Sequence, residues 1–223
     1  AADRIELVPP GVDHAFFSPG DRAGARAALD LDDRPTLLFV GRIQPLKGLT
    51  IAVQALAELT DRRSRLVVVG GPSGSDGPDE LARVRSMIAE LGLRDRVSFV
   101  EPQPHHRLST FYRAADVVVV PSRSESFGLV ALEAAACGVP VVAAAVGGLR
   151  TLVDDGLSGR LVDSRRPSDF AVRIDELLAD PAAAAAMGRA ASELADRYAW
   201  STTAGRLRRL YGDLRARALV ECS

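Results

Sequence analysis

The sequence contains few aromatic residues and carries almost no net charge. Aromatic side chains make up 5% of the 223 residues, so a core would consist mainly of alanine, valine and leucine. The formal net charge of −1 gives no electrostatic attraction towards nucleic acids or anionic membranes, and we predict no nucleic-acid partner. No apolar run approaches the length of about 18 residues that a membrane-spanning helix requires, so we predict no transmembrane segment.

The sequence also lacks the residues of a disulfide or metal framework. Its two cysteines, Cys137 and Cys222, cannot build a disulfide network, which favours a cytoplasmic location. His14 stands alone, and His105 and His106 are adjacent in a segment that we interpret as a loop. We predict that this histidine pair lies on the surface, and we assign no metal site.

A glycine-rich segment at residues 70–74 lacks both common nucleotide-binding fingerprints. It does not have the Gly-x-Gly-x-x-Gly spacing of dinucleotide-binding domains, and no Gly-Lys-Ser/Thr follows it to form a P-loop. This absence counts against an NAD-binding domain, and the segment can equally be a mobile connector.

What the sequence does contain is a regular alternation of short β-branched runs with helical segments. Strands are predicted at residues 35–41, 65–70, 96–100, 116–120, 139–143 and 160–162, with a further short strand within 5–13. Helices are predicted at residues 19–29, 49–60, 79–91, 107–114, 167–178, 181–198 and 200–218, and a further helix is predicted to end at residue 137. The alternation predicts an α/β fold with a doubly wound, Rossmann-like parallel sheet of about six strands. Ligands of such sheets bind at the carboxyl ends of the strands.

One turn between a predicted strand and a helix is suited to binding an anion. The run Asp116-Val-Val-Val-Val-Pro121 is a predicted buried strand that ends at a proline. A helix begins a few small polar residues later. The first N–H groups of that helix, near Phe127, Gly128 and Leu129, are expected to have no partner within the helix. They and the helix dipole can hold an anion.

Two carboxylates flank this turn. Glu125 lies within the turn, and Glu133 lies about two turns into the helix. Because a carboxylate repels a phosphate, these groups more plausibly accept hydrogen bonds from neutral hydroxyls beside it. The alternative is that Glu125 only complements the helix dipole and that Glu133 is a solvated helix residue.

Two cations follow the first strong strand. Arg42 and Lys47 lie between Gly41 and Gly48. Arginine can hold a diphosphate through two hydrogen bonds, and lysine adds a compact charge. Both residues can equally be solvated surface side chains. Gly147 and Gly148, after a later strand, permit a ligand to approach the backbone closely.

These motifs resemble those of a known enzyme family. Glu125 and Glu133 form a Glu-x7-Glu pattern, set among Tyr112-Arg-Ala-Ala-Asp116, Gly138-Val-Pro-Val-Val and Gly147-Gly. This run of about 40 residues resembles the retaining glycosyltransferases of family 4, which have the GT-B fold, and the resemblance extends over nearly the whole chain. It implies that the sequence is a C-terminal, donor-binding domain.

The resemblance also implies roles for individual residues. Arg42, Lys47 and Glu125 would act in catalysis, the two cations at the departing diphosphate and Glu125 at the hydroxyls of the transferred sugar. Glu133 would bind the ribose hydroxyls, and Gln103 the base. The remaining donor contacts implied by the motifs are Gly41, Ser126, Phe127, Gly128 and Leu129.

A division into domains follows from the same resemblance. Residues 1–18 would link two domains, residues 19–198 would bind the nucleotide-sugar donor, and residues 199–223 would form a helix that packs back towards an N-terminal domain. We expect that domain to precede this sequence and to hold most of a small hydroxyl acceptor. The chain alone is then predicted to fold but to be inactive.

Residues 39–47, 70–75 and 122–130 resemble one branch of the family more closely. That branch transfers N-acetylglucosamine from UDP-GlcNAc to an inositol phosphate. No cofactor beyond the UDP-sugar donor is required, although a magnesium ion near Tyr112-Arg-Ala-Ala115 is compatible with this branch. Three alternatives stay open: a relative that uses GDP-mannose or UDP-glucose, a nucleotide-binding module without transferase activity, and an NAD-binding domain.

Overall fold

The computed structural model describes residues 5–221, and their side chains as far as residue 215. Cys222 and the first four residues of the predicted linker lie outside the described part. Within it, no helix combines the length and the apolar character needed to cross a membrane.

Six parallel strands form one sheet, which confirms the predicted fold class. The strands are β1 (Thr36–Val40), β2 (Arg65–Val69), β3 (Val97–Val100), β4 (Val117–Val120), β5 (Val141–Ala144) and β6 (Gly159–Val162). Their order across the sheet is β3-β2-β1-β4-β5-β6. β1 therefore pairs on one side with β2, where Leu37 lies opposite Leu66, and on the other with β4, where Leu37 lies opposite Val117. The strand order reverses between β1 and β4, which is the position where such sheets bind ligands.

Helices connect the strands and cover both faces of the sheet. They are α1 (Arg22–Ala28), α2 (Leu49–Glu58), α3 (Gly77–Glu90), α4 (His105–Ala114), α5 (Leu129–Ala136), α6 (Leu149–Leu152), α7 (Pro167–Ala179), α8 (Pro181–Ala195) and α9 (Trp200–Glu221). Short 3-10 turns occupy Pro45–Lys47 and Asp196–Tyr198. The sequence prediction missed α6, and it began α4 two residues late.

Two apolar cores lie on opposite faces of the sheet. Leu37 and Phe39 point into the core that α2, α3 and α7 cover, whereas Leu38 points into the core beneath α4 and α5. Strand side chains alternate between the faces, so a sheet buried on both sides requires continuous apolar strands. Cys137 lies in the second core, and burial raises the pKa of its thiol to about 12.

The short strand predicted within residues 5–13 is wrong. Val12 forms only an isolated bridge with Ala199, and its N–H donates to the Tyr198 carbonyl at 2.7 Å. The Thr203 hydroxyl donates to the Pro9 carbonyl at 2.9 Å. The described part of the predicted linker therefore contacts the start of α9 and does not extend the sheet.

Candidate functional site

The loops after β1 and β4 meet at the carboxyl edge of the sheet, which we define as the edge where its six strands end. The Arg123 N–H donates to the Leu46 carbonyl at 2.8 Å, so one loop is bonded to the other. Gly48 has a φ of 71°, and a Cβ there would lie 2.3 Å from the Pro121 carbonyl oxygen. A larger residue at position 48 would therefore separate the two loops.

This contact brings two predicted site residues together. The Lys47 ammonium lies 2.7 Å from Oε2 of Glu125, and the Ser122 hydroxyl lies 3.4 Å from the same oxygen. The side chains of Lys47 and Glu125 keep 24% and 17% of their surface exposed, so the pair is shielded but open to a ligand. The sequence indicated separate roles for the two and did not predict that they form an ion pair. Lysine has three N–H donors, so the ammonium can bond to further acceptors.

The loop after β5 fixes the backbone of Glu125. The Gly148 N–H donates to the Glu125 carbonyl at 3.0 Å. Gly147 has a φ of 45°, and a Cβ there would lie 2.0 Å from that carbonyl oxygen. The glycine pair therefore permits close packing against the Glu125 loop, whereas the sequence suggested close approach to a ligand.

The N-terminus of α5 points into the same edge. Among the described residues, no backbone or side-chain oxygen accepts from the N–H groups of Phe127, Gly128 or Leu129. The predicted free donors are therefore present at this helix end. Leu129 is 44% exposed, which leaves the helix end accessible to solvent.

Glu133 has surroundings that the sequence did not reveal. Its side chain is 7% exposed, the Tyr112 hydroxyl donates to Oε2 at 2.7 Å, and Nε2 of His105 lies 2.8 Å from Oε1. A solvated helix residue, the alternative stated for Glu133, is therefore wrong. His105 begins α4 rather than lying in a loop, although its side chain stays more than half exposed. Burial, together with the charge of Glu133, raises the pKa of Tyr112 well above its usual range, so its hydroxyl stays protonated.

A cleft of about 400 Å³ opens at the ends of β1, β2 and β3, on the same edge of the sheet as the ion pair. Gly41, Arg42 and Gln103 line it, together with the glycine-rich segment that begins at Gly70. Arg42 is exposed, and no carboxylate of the described residues lies within ion-pair distance of its guanidinium. Gln103 is half-buried, and its side-chain amide donates to the Glu101 carbonyl at 2.9 Å. The structure thus brings Arg42 and Gln103 to one cleft.

No cluster suited to a metal ion is present in the part of the chain that the structure describes. No group of three or more His, Cys, Asp or Glu side chains converges there. The segment Tyr112-Arg-Ala-Ala115, near which the family resemblance allows a magnesium ion, lies at the end of α4, and Tyr112, Ala114 and Ala115 are buried.

The chain matches known proteins over most of its length. A family model described as "Glycosyl transferases group 1" matches residues 21–194. D-inositol 3-phosphate glycosyltransferase of Frankia alni is 54% identical, over 94% of this chain and 53% of its own length. This similarity confirms the closer resemblance predicted from three segments. The chain spans about half the length of the curated relatives it matches.

Solved structures show the same fold. The sucrose-phosphate synthase of Thermosynechococcus elongatus aligns with a TM-score of 0.89 and 40% identity, over 95% of this chain and 53% of its own. Anabaena HepE, solved in complex with UDP and glucose, aligns with a TM-score of 0.89 and 26% identity, over 96% and 58% of the two chains. The fold is therefore that of the carboxyl-terminal domains of GT-B glycosyltransferases. On this evidence the chain belongs to the glycosyl transferases group 1 family.

Proposed function

We propose that this chain is the donor-binding half of a retaining glycosyltransferase, which transfers a sugar from a nucleoside-diphosphate sugar to a hydroxyl acceptor. The observation that carries the proposal is the convergence of Lys47, Glu125 and the free N-terminus of α5 at the point where the strand order reverses. Arg42 lies on the same edge, in the cleft at the ends of β1, β2 and β3. Three sources of positive charge thus lie on the same edge of the sheet as Glu125.

The positive groups suit a departing diphosphate. When the bond between the anomeric carbon and the phosphate oxygen breaks, negative charge builds on the diphosphate. Arg42, Lys47 and the α5 N–H groups would stabilise that charge, and they are held in place before the reaction begins. The two side chains would contribute differently, because arginine offers paired hydrogen bonds to the diphosphate and lysine offers a point charge.

The two carboxylates suit the neutral parts of the donor. Glu125, beside the diphosphate position, would accept hydrogen bonds from hydroxyls of the transferred sugar. Glu133 would accept them from the ribose, and the cleft at Gln103 would hold the base. The backbone of Gly41, and the segment from Ser126 to Leu129 at the start of α5, would complete the donor contacts.

Retention at the anomeric carbon is proposed to proceed by front-face displacement. The acceptor oxygen forms its bond on the face that the diphosphate leaves, and the acceptor proton passes to a diphosphate oxygen. No covalent intermediate with a carboxylate is needed. The role left to Glu125 is to bind sugar hydroxyls while its charge is balanced by Lys47.

UDP-GlcNAc is the proposed donor, and an inositol phosphate the proposed acceptor. The support is the similarity to the Frankia alni enzyme and the fold shared with a UDP-bound protein. A relative that uses GDP-mannose or UDP-glucose remains the alternative. No metal is required by the proposal, and a magnesium ion would enter only as an auxiliary charge.

The acceptor is proposed to be held mostly by a second domain. Residues 199–223 would pack against that domain, residues 1–18 would form the linker, and residues 19–198 would bind the donor. The support is an exposed apolar face on the part of α9 whose side chains are described, where Trp200, Tyr211 and Leu214 are each more than half exposed. We therefore expect the chain to fold alone and to show no sugar transfer.

Calorimetric titration tests the proposal. UDP and UDP-GlcNAc are expected to bind, GDP and GDP-mannose to bind more weakly, and NAD not to bind. Tighter binding of GDP than of UDP would indicate that the donor is GDP-mannose rather than UDP-GlcNAc. Binding of NAD alone would overturn the transferase assignment, and measurable turnover by this chain alone would overturn the two-domain assignment. A full-length protein that binds UDP-sugars but transfers nothing would support the nucleotide-binding module.

A further inference from the structure

The carboxylate of Glu133 is held from two sides by α4. Tyr112 contacts one carboxylate oxygen and His105 contacts the other, at 2.7 and 2.8 Å. The two side chains are seven residues apart on one helix, which places them on the same face two turns from each other. Glu133 comes from the neighbouring helix α5, so the arrangement spans two elements.

A third side chain supports the arrangement. Phe17 is fully buried, and its ring centroid lies 4.8 Å from that of His105 and 5.9 Å from that of Tyr112. Tyr112 is also fully buried. The buried Tyr112 ring therefore has little freedom to reorient, and its hydroxyl holds one oxygen of the Glu133 carboxylate in place.

The hydrogen-bonding capacity of Glu133 is only partly used. An ionised carboxylate offers about four lone-pair positions, and the two contacts occupy one on each oxygen. One position per oxygen is left, which suits a vicinal pair of hydroxyls. Tyr112 contributes a neutral donor, so it leaves the negative charge of Glu133 in place to accept further bonds.

We infer that Tyr112 and His105 are positioning residues that orient Glu133 towards the two ribose hydroxyls of the donor. This inference rests on the proposed function, in which Glu133 binds the ribose. Neither residue needs to touch the nucleotide. Their effect would be to hold the carboxylate in the orientation that both hydroxyls require, so that binding does not have to immobilise it.

The test compares two nucleotides that differ only at the ribose. UDP has the 2′ and 3′ hydroxyls, and 2′,3′-dideoxy-UDP lacks them. Tyr112→Phe keeps the buried ring and removes the hydroxyl, and His105→Leu removes the second contact. Each is expected to weaken UDP binding about three- to tenfold and to leave dideoxy-UDP binding within about twofold of the parent.

Matched variants separate positioning from packing. His105→Gln keeps a side-chain N–H donor and is expected to recover most of the UDP affinity. His106→Leu changes the neighbouring exposed histidine, whose ring lies 6.1 Å from Phe16, and is expected to bind both nucleotides as the parent does. If Tyr112→Phe fails to fold, the His105 variants carry the test, because that side chain is 59% exposed.

Glu133→Gln distinguishes failure of the inference from failure of the proposed function. If Glu133→Gln weakens UDP selectively but Tyr112→Phe and His105→Leu do not, the two residues do not position Glu133. If either variant weakens both nucleotides equally, its role is structural and the inference is overturned. If Glu133→Gln itself shows no selectivity, the ribose assignment under the proposed function is wrong, and the inference falls with it.

Discussion

Glu125 and Glu133 belong to one sequence pattern, yet the fold gives them opposite environments. Glu125 lies in a loop, and its partner Lys47 is a cation from a second loop. Glu133 lies inside α5, where Tyr112 supplies a neutral donor and His105 the second contact. One carboxylate is balanced by a permanent positive charge, and the other is held by contacts with two side chains of α4.

The difference indicates what each carboxylate can do. A carboxylate paired with lysine can sit beside a diphosphate, because the pair is nearly neutral and the ammonium retains free donors. A carboxylate held by the neutral Tyr112 hydroxyl is not balanced by that donor, and its negative charge strengthens hydrogen bonds from hydroxyls. Catalytic charge stabilisation is therefore expected on the Glu125 side, and ground-state recognition of the nucleotide on the Glu133 side.

The largest expected effect comes from a substitution at Gly147, which disturbs the loop of Glu125 and leaves Glu133 unchanged. In Gly147→Ala, the new methyl would lie 2.0 Å from the Glu125 carbonyl, and the left-handed backbone would be strained. We expect a loss of about 3 kcal/mol in the free energy of unfolding, with Glu125 displaced. Denaturant titration measures it. Gly205→Ala is the matched control, because no atom lies within 4 Å of the added methyl. Equal stability of the two variants would mean that the Glu125 loop is not fixed by this contact.

The next largest effect is expected when either Arg42 or Lys47 is replaced by alanine. Arg42→Ala and Lys47→Ala are each expected to weaken UDP binding about tenfold or more, because a charged hydrogen bond contributes about 1.5–3 kcal/mol. Calorimetry measures the affinity. Arg94→Ala, an exposed cation on the loop before β3, controls for net charge and should not change it. Unchanged affinity in both site variants would locate the diphosphate elsewhere.

Glu133→Gln is expected to have a smaller effect on UDP. The amide keeps the shape but loses a charge-assisted acceptor, so binding of UDP and of the UDP-sugar should fall about three- to tenfold. Titration of both ligands gives the values. A loss confined to the UDP-sugar would reverse the assignment of sugar and ribose between the two carboxylates.

The smallest expected effect on UDP is that of Glu125→Gln. Free UDP has no sugar for Glu125 to bind, so its affinity should stay within about twofold of the parent. In a full-length protein, the same change should lower kcat if the hydrogen bonds strengthen as the sugar departs. Titration followed by steady-state kinetics measures both. A loss of UDP affinity as large as in Glu133→Gln would remove the distinction between the two carboxylates.

The strands and the site loops could be predicted because their signals are local. Runs of valine and leucine ended by Gly41 or Pro121 specify buried strands, and polar residues directly after them lie at the carboxyl edge. The start of α4 was missed because Pro104 precedes it without a side-chain cap. α6 was missed because its four residues show no clear periodicity.

The contacts that the sequence could not predict join residues remote in the chain. Lys47 and Glu125 are 78 positions apart, and Tyr112 and Glu133 are 21 apart. Which loop reaches which depends on the strand order, and the sequence gives no direct measure of that order. The crossing of Val12 and Ala199 was missed for the same reason, and the isolated bridge was mistaken for a strand.

A crystal structure of this chain with UDP tests the central claim most directly. The diphosphate is expected within hydrogen-bond distance of Arg42, Lys47 and the N–H groups at the start of α5, with the ribose at Glu133. The opposite edge of the sheet offers a competing cavity of about 610 Å³, lined by Arg22, Arg189 and Asp116 among others. UDP bound in that cavity, with the carboxyl edge unoccupied, would contradict the account.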